Sequence, residues 1–281
     1  MNNYNENRTR SQENQDDEFV HIIPIPSSSH IILNNAVMIA GFPSPGMIGL
    51  IVAEQLIEQI GMHQIAYVHS KYVLPGVLWA GGKLRHPFRI YGNEDGSICL
   101  LTCDVPITST GIGTISANII RWCCENNVNK VVVVSGIFPG NIVPFPQDFA
   151  KRTSFLVEND GKLRNDIEHS GGIVNGSETP NFAFIGGVPG QLLANCVIQF
   201  IHCMAVLVPT LSPSPDPEGA ALAIETLNKL ISIPKLSSFQ LRRDAEMIKA
   251  QLSELAKLQF SLLSKSDKEV SMHDDTEQIY K

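Results

Sequence analysis

Apolar positions along the chain alternate between two patterns. Short apolar runs, AVMIAGF (36–42), KVVVVSGIF (130–138) and AVLVPTL (205–211), read as strands buried on both faces. Between them the spacing becomes helical. In GMIGLIVAEQLIEQI (46–60), Ile48, Val52, Leu56 and Ile60 share one face. GTISANIIRWCCENN (113–127), PGQLLANCVIQFIHC (189–203) and DPEGAALAIETLNKLI (216–231) read as further helices, and QIAYVHS (64–70) and FAFIGG (182–187) as further strands. FRIYG (88–92) and SICLLTCDV (97–105) form a strand pair joined by Asn93-Glu94-Asp95-Gly96, a hairpin signal. Phe19–Pro26 is extended enough to add an edge strand.

This alternation predicts a three-layer α/β/α fold in which helices cover a mostly parallel sheet. The antiparallel hairpin makes that sheet mixed. Residues 136–180 are rich in Pro, Gly and Asn and are expected to pass over the carboxyl ends of the strands, where α/β proteins build sites. The last helix, 240–263, differs from the others. Leu241, Ala245, Ile248, Leu252, Leu255 and Leu262 follow a heptad seam that suits either an oligomer contact or packing on the domain's own helices. The domain thus spans 20–263. Residues 1–19 are polar and acidic and read as a disordered tail. Residues 264–281 read as a second flexible tail, ending in Ile279, Tyr280 and Lys281.

Composition narrows the function classes. The chain has 281 residues, 43% hydrophobic and 17% charged, which fits a core-rich globular protein. A net charge of -7 argues against a general nucleic-acid binder. No apolar run approaches the roughly 18 residues of a membrane span, and MNNYNENRTRSQENQDDE has no apolar signal region. A cytoplasmic location is expected. The six cysteines, Cys99, Cys103, Cys123, Cys124, Cys196 and Cys203, form no CxxC pair and read as buried free thiols rather than as a metal site or a disulfide framework.

Three glycine-bearing turns recur between strand and helix. Gly41, Gly46 and Gly49 lie in GFPSPGMIG, Gly111 and Gly113 in GIGT, and Gly186, Gly187 and Gly190 in GGVPG. Such turns can aim backbone N–H groups at an anion. Here they lack the Lys and Ser/Thr of a P-loop and the GxGxxG spacing, and Pro43 and Pro45 remove donors. They read better as close helix–sheet packing. Asp104, at a strand end, is the best-placed acid. Asp216 and Glu218 suit a helix N-terminus, and Glu54 and Glu58 suit a solvated helix flank. No catalytic set, metal site or cofactor site emerges. The final Ile279-Tyr280-Lys281 has the form of a plug for a pocket that captures C-terminal carboxylates.

These pieces, in order, resemble the proteasome assembly chaperone family in its archaeal branch, related to the second subunit of the eukaryotic heterodimeric chaperone. GFPSPGMIGLIVAEQLIEQIG (41–61), FRIYG, GGVPGQLLA (186–194) and SPDPEGAALAIETLNKL (214–230), followed by a long helix, carry the resemblance over roughly residues 20–263. Ser44-Pro45 departs from the small residues expected in the first turn. The resemblance implies a phosphorylase-like fold without a required cofactor, homo-oligomers, and binding to the α-ring of the proteasome core particle. It also implies that Ile279, Tyr280 and Lys281 occupy a hydrophobic–Tyr–any motif that inserts between α-ring subunits. Two other readings stay open: a hydrolase or nucleoside phosphorylase-like enzyme using the glycine turns, and an oligomeric scaffold for another partner.

Overall fold

The computed structural model describes residues 19–159, 177–231, 236–243 and positions 247, 253 and 257. Its centre is a nine-stranded mixed sheet in the order β1-β3-β6-β7-β2-β8-β13-β10-β11. The strands are β1 (Val20–Pro24), β2 (Ala36–Gly41), β3 (His63–Ser70), β6 (Phe88–Gly92), β7 (Ile98–Cys103), β8 (Val128–Ile137), β10 (Ser154–Glu158), β11 (Ser177–Glu178) and β13 (His202–Pro209). Parallel pairing unites β7, β2, β8 and β13 at the centre. Antiparallel strands extend it on both sides, β6, β3 and β1 on one and β10 on the other. The β6–β7 hairpin forms at the expected place, with Gly96 at a positive φ of 71° where a side chain would be strained.

Two ribbons stand outside this sheet. β4 (Leu78–Ala80) pairs with β5 (Lys83–Arg85), and β9 (Ile142–Val143) pairs with β12 (Phe182–Ala183).

Helices cover both faces. On one side lie α1 (Ile48–Ile60), α4 (Pro217–Leu230) and the short α5 (Phe239–Arg243), packed on Ile39, Leu100, Val132, Val134, Met204 and Val206. On the other lie α2 (Ile112–Glu125) and α3 (Gly187–Ile198), packed on Met38, Ala40, Leu101, Val131 and Val133. Successive residues of β2 and β8 thus feed opposite cores, which is why their sequences are continuously apolar.

Several expectations are corrected. FAFIGG is not a full strand: only Phe182–Ala183 pair, and Gly187 already starts α3. The helix read as 189–203 stops at Ile198. Phe200 takes a left-handed φ of 57°, and His202 and Cys203 open β13, so Cys203 is a strand residue. Both segments are apolar, so periodicity alone does not separate a buried helix end from a buried strand start. Residues 136–180, read as a passage over the strand ends, also hold strands β9, β10 and β11. Five cysteines are buried, but Cys124 faces solvent because its neighbour Cys123 takes the core-facing position on α2.

Leu241 packs into the chain's own core. Ala245, Ile248, Leu252, Leu255 and Leu262 lie outside the described residues, as do residues 1–18, the tail 264–281 and its Ile279, Tyr280 and Lys281.

Candidate functional site

The carboxyl ends of the parallel strands open into a cleft of about 370 Å³. It lies where β2 separates β7 from β8, the point at which the strand order reverses and α/β proteins commonly hold ligands. Each wall continues a core strand. Phe42 and Pro43 follow β2, Val105 to Ile107 follow β7, Ser135 to Ile137 end β8 and Phe138 follows it. Ile112 and Val188 come from the first turns of α2 and α3, and Phe184 forms the rim. Phe184 is held there by the β9–β12 ribbon, its backbone N–H donating to the Asn141 carbonyl at 2.8 Å.

All three glycine turns reach this end of the sheet. At the first, Gly46 and Met47 both have positive φ, 68° and 50°. The Ser44 hydroxyl accepts from the Gly136 N–H at 3.3 Å, and the Gly46 carbonyl accepts from the Asp216 N–H at 2.8 Å. A Cβ built on Gly49 would lie 2.7 Å from the Val134 carbonyl oxygen and 2.9 Å from that of Phe42. Gly41 sits against the Gly49 carbonyl, Gly111 against the Tyr72 ring and Gly190 against the Ile185 carbonyl, each too close for a side chain. Gly113 differs, with nothing within 4 Å of a Cβ placed on it. Gly186 has only ordinary contact with Phe184, and Gly187 adopts a φ of 65°.

The cleft lining is apolar side chain and backbone. Its polar side chains are Ser44, Ser135 and Asn141, and no ionisable group appears among the lining residues. Ser135 donates to the Gly136 carbonyl at 2.9 Å and is thereby occupied. A phosphate here would meet no cation among the described lining residues. Among the described residues no cluster of three His, Cys, Asp or Glu side chains could hold a metal ion.

The acids singled out in the sequence go elsewhere. Asp104 forms an ion pair with Arg89, whose side chain is 2% exposed. Burial pushes the Asp104 carboxyl up to about 6 against the opposing pull of the Arg89 guanidinium. Asp216 caps α4, accepting from the Gly219 N–H at 2.9 Å, and binds Arg152 through both carboxylate oxygens at 2.6 and 2.8 Å. Arg152 also donates to the Pro209 carbonyl at 2.9 Å, tying β13 to the start of α4. Glu54 lies on the outer flank of α1, 3.4 Å from Arg85, and Glu58 is exposed. The acids do not converge on the cleft. Burial also pushes the Cys99, Cys103 and Cys123 thiols up, away from reactivity.

Sequence reasoning placed the turns and put Phe138 and Phe184 in strand-like runs, but it gave neither of them, nor Asn141, a part in a site. Arg89 and Arg152 were missed as well. The one available signal was an Arg inside the otherwise apolar FRIYG.

A three-layer α/β/α protein with a neutral, apolar cleft at the reversal point of its sheet is the class these features define. The PAC2 family pattern matches residues 38–256, and the chain belongs to that family. The Methanocaldococcus jannaschii protein MJ0106 is 28% identical over 243 residues, covering 86% of this chain and 94% of that protein. The crystal structure of a Thermoplasma acidophilum protein of unknown function superposes with a TM-score of 0.70 at 28% identity, over 83% of this chain and 91% of that one. Pyrococcus furiosus PbaA, an archaeal homolog of proteasome-assembly chaperone, superposes with a TM-score of 0.72 at 25% identity, over 86% and 99% of the two chains. P. furiosus PbaB, an archaeal proteasome activator, shares the fold with a TM-score of 0.66 at 16% identity, over 84% and 98%.

Proposed function

We propose that this chain is a non-catalytic proteasome assembly chaperone or ATP-independent proteasome regulator. Its C-terminal Ile279-Tyr280-Lys281 docks into pockets between α-ring subunits of the core particle. The observation that carries the reading is the PAC2 match across residues 38–256, with a PbaA-like fold over most of the chain. The neutral cleft supports it from the other side, since a lining without acidic or basic side chains offers none for proton transfer.

The polar segment 264–281 has 18 residues. As a coil it would span roughly 25 Å, and stretched about 60 Å, enough to reach a ring surface from the folded body. One Ile-Tyr plug binds weakly. Several on one homo-oligomer raise each other's effective concentration and strengthen attachment by orders of magnitude.

The test is co-elution with the proteasome core particle, using the full chain and a variant lacking Ile279–Lys281. The full chain is expected to co-elute and the shortened one to separate from the core with its thermal unfolding unchanged. Equal retention of both would overturn tail docking. Failure of both to bind would remove the proteasome as the partner.

A further inference from the structure

A second cavity, of about 500 Å³, shares no lining residue with the cleft. Its size falls within the roughly 300–1,000 Å³ of small-molecule sites. α1 contributes Glu54, Ile57 and Glu58, and β5 contributes Lys83, Leu84 and Arg85. Tyr67 comes from β3 and Tyr91 from β6. Where the cleft is neutral, this cavity has acids on its helix side and bases on its ribbon side. Only part of that charge is used within the chain. Glu54 and Arg85 face each other at 3.4 Å and join the helix to the ribbon. Glu58 lies one turn on from Glu54, and Lys83 lies on the same side of β5 as Arg85. Both are exposed, and neither has an ion-pair or hydrogen-bond partner among the described residues.

Tyr91 adds a third unused group. Its side chain belongs to the core and the residue is only 7% exposed. A tyrosine this deep normally gives its hydroxyl a partner. Here the hydroxyl has none among the described residues, and it is not sealed in, because Tyr91 lines the cavity. Burial pushes its phenol up, so the hydroxyl stays protonated and able to donate at neutral pH. The Arg89 guanidinium, 5.6 Å from the Tyr91 ring, backs it from the core. The cavity thus offers one unpaired carboxylate, one unpaired ammonium on the facing element, and one buried donor between the two sheet strands and the helix.

We propose that this cavity binds a zwitterionic ligand of the dipeptide class, with its free ammonium on Glu58 and its free carboxylate on Lys83. A simple anion would gain Lys83 and Arg85 but face Glu54 and Glu58, and a simple cation would meet the reverse. A molecule with both signs satisfies both sides. The opposite charges come from different elements, which matches free ends separated by a peptide unit. The peptide carbonyl between them is a neutral acceptor for the Tyr91 hydroxyl. Ile57, Leu84 and the Tyr67 ring supply apolar surface for the side chains. This site is separate from the tail, and the inference holds whether or not the proteasome is the partner.

An NMR titration of the full chain tests it, with three probes: Leu-Leu, N-acetyl-Leu-Leu and Leu-Leu amide. Leu-Leu is expected to bind saturably with a Kd of about 1 mM or tighter. Each cap removes one charge and should weaken binding about threefold to fivefold, the worth of a partly exposed ion pair. Glu58→Gln should weaken Leu-Leu by a similar factor but leave N-acetyl-Leu-Leu unchanged, because variant and cap delete the same contact. Lys83→Gln should do the same for Leu-Leu and spare Leu-Leu amide. Both residues are exposed, so these variants keep the fold. Tyr91→Phe keeps the ring and should weaken all three probes alike. Three results would each overturn the proposal. They are no saturable binding of Leu-Leu, capped forms that bind as tightly as Leu-Leu, and binding indifferent to both Glu58→Gln and Lys83→Gln. The titration contains no proteasome, so its outcome is distinct from that of the co-elution test.

Discussion

Arg89 shows how a single side chain can be both buried and costly. Its guanidinium is held by Asp104 and lies 5.6 Å from the Tyr91 ring, while its Nε and Nη1 have no hydrogen-bond partner among the described residues. Breaking a buried pair by removing one member is typically worth about 3–5 kcal/mol, because the other charge stays behind. Arg89→Met should destabilise by that order at neutral pH, as read from urea unfolding. The pH dependence has a definite sign. Burial holds the folded-state pKa of Asp104 near 6, above its usual 3.8. The contribution of this carboxyl is therefore fully present below 3.8 and is lost as pH rises through about 6. The penalty of Arg89→Met should be greatest above that window and shrink below it, where Asp104 is protonated in both proteins. A penalty independent of pH would mean that the loss is packing alone. Two glycines give a contrast at the same scale. Gly49→Ala forces a Cβ against two carbonyls and should cost about 1–3 kcal/mol. Gly113→Ala enters open space in the first turn of α2 and should stabilise by about 0.4–1 kcal/mol through the unfolded chain. Thermal midpoints of the two variants should move in opposite directions.

Among the elements, α4 depends most on one residue. Asp216 supplies both its N-cap and the bidentate partner of Arg152, so it joins helix, β13 and the turn at Gly46. Asp216→Ala should lower stability by about 3 kcal/mol or more, since it removes the cap and leaves a nearly buried guanidinium unpaired. Asp216→Asn keeps a capping oxygen and should lose less, so comparing their urea midpoints separates the two roles. The sequence showed the cap, because Asp before Pro-Glu at a helix start is a local signal. It did not show Arg152, which lies 64 positions earlier in a segment without periodicity. The same boundary runs through the whole fold. β2, β8, α1 and the β6–β7 hairpin were readable because apolar period and turn chemistry agree there. β4–β5 was not, since its strands are three residues each around Gly81-Gly82. β10 was hidden in a Pro- and Gly-rich stretch, where five residues do not establish a period. Of the cleft, the glycine turns were legible, while the rim residues that shape it depend on tertiary placement alone.

At the scale of the whole molecule, the proposed docking makes a further distinction. Tyr280→Ala should weaken association with the core particle more than Lys281→Ala, because an aromatic anchor in a desolvated pocket is commonly worth about 2 kcal/mol or more. Binding constants for the two variants check it, and a larger loss for Lys281→Ala would assign recognition to the terminal charge instead. Strand order has a different kind of consequence, one for biosynthesis. β2 is the second strand to leave the ribosome, yet both of its neighbours, β7 and β8, come later, and β13 closes on β8 later still. Ribosomes add about 5–20 residues per second. Until Cys103 has emerged the continuously apolar Ala36–Gly41 has no partner on either edge, and until Ile137 it has one on a single edge only, so nascent chains halted before Ile137 should recruit holding chaperones that chains halted beyond Pro209 no longer need.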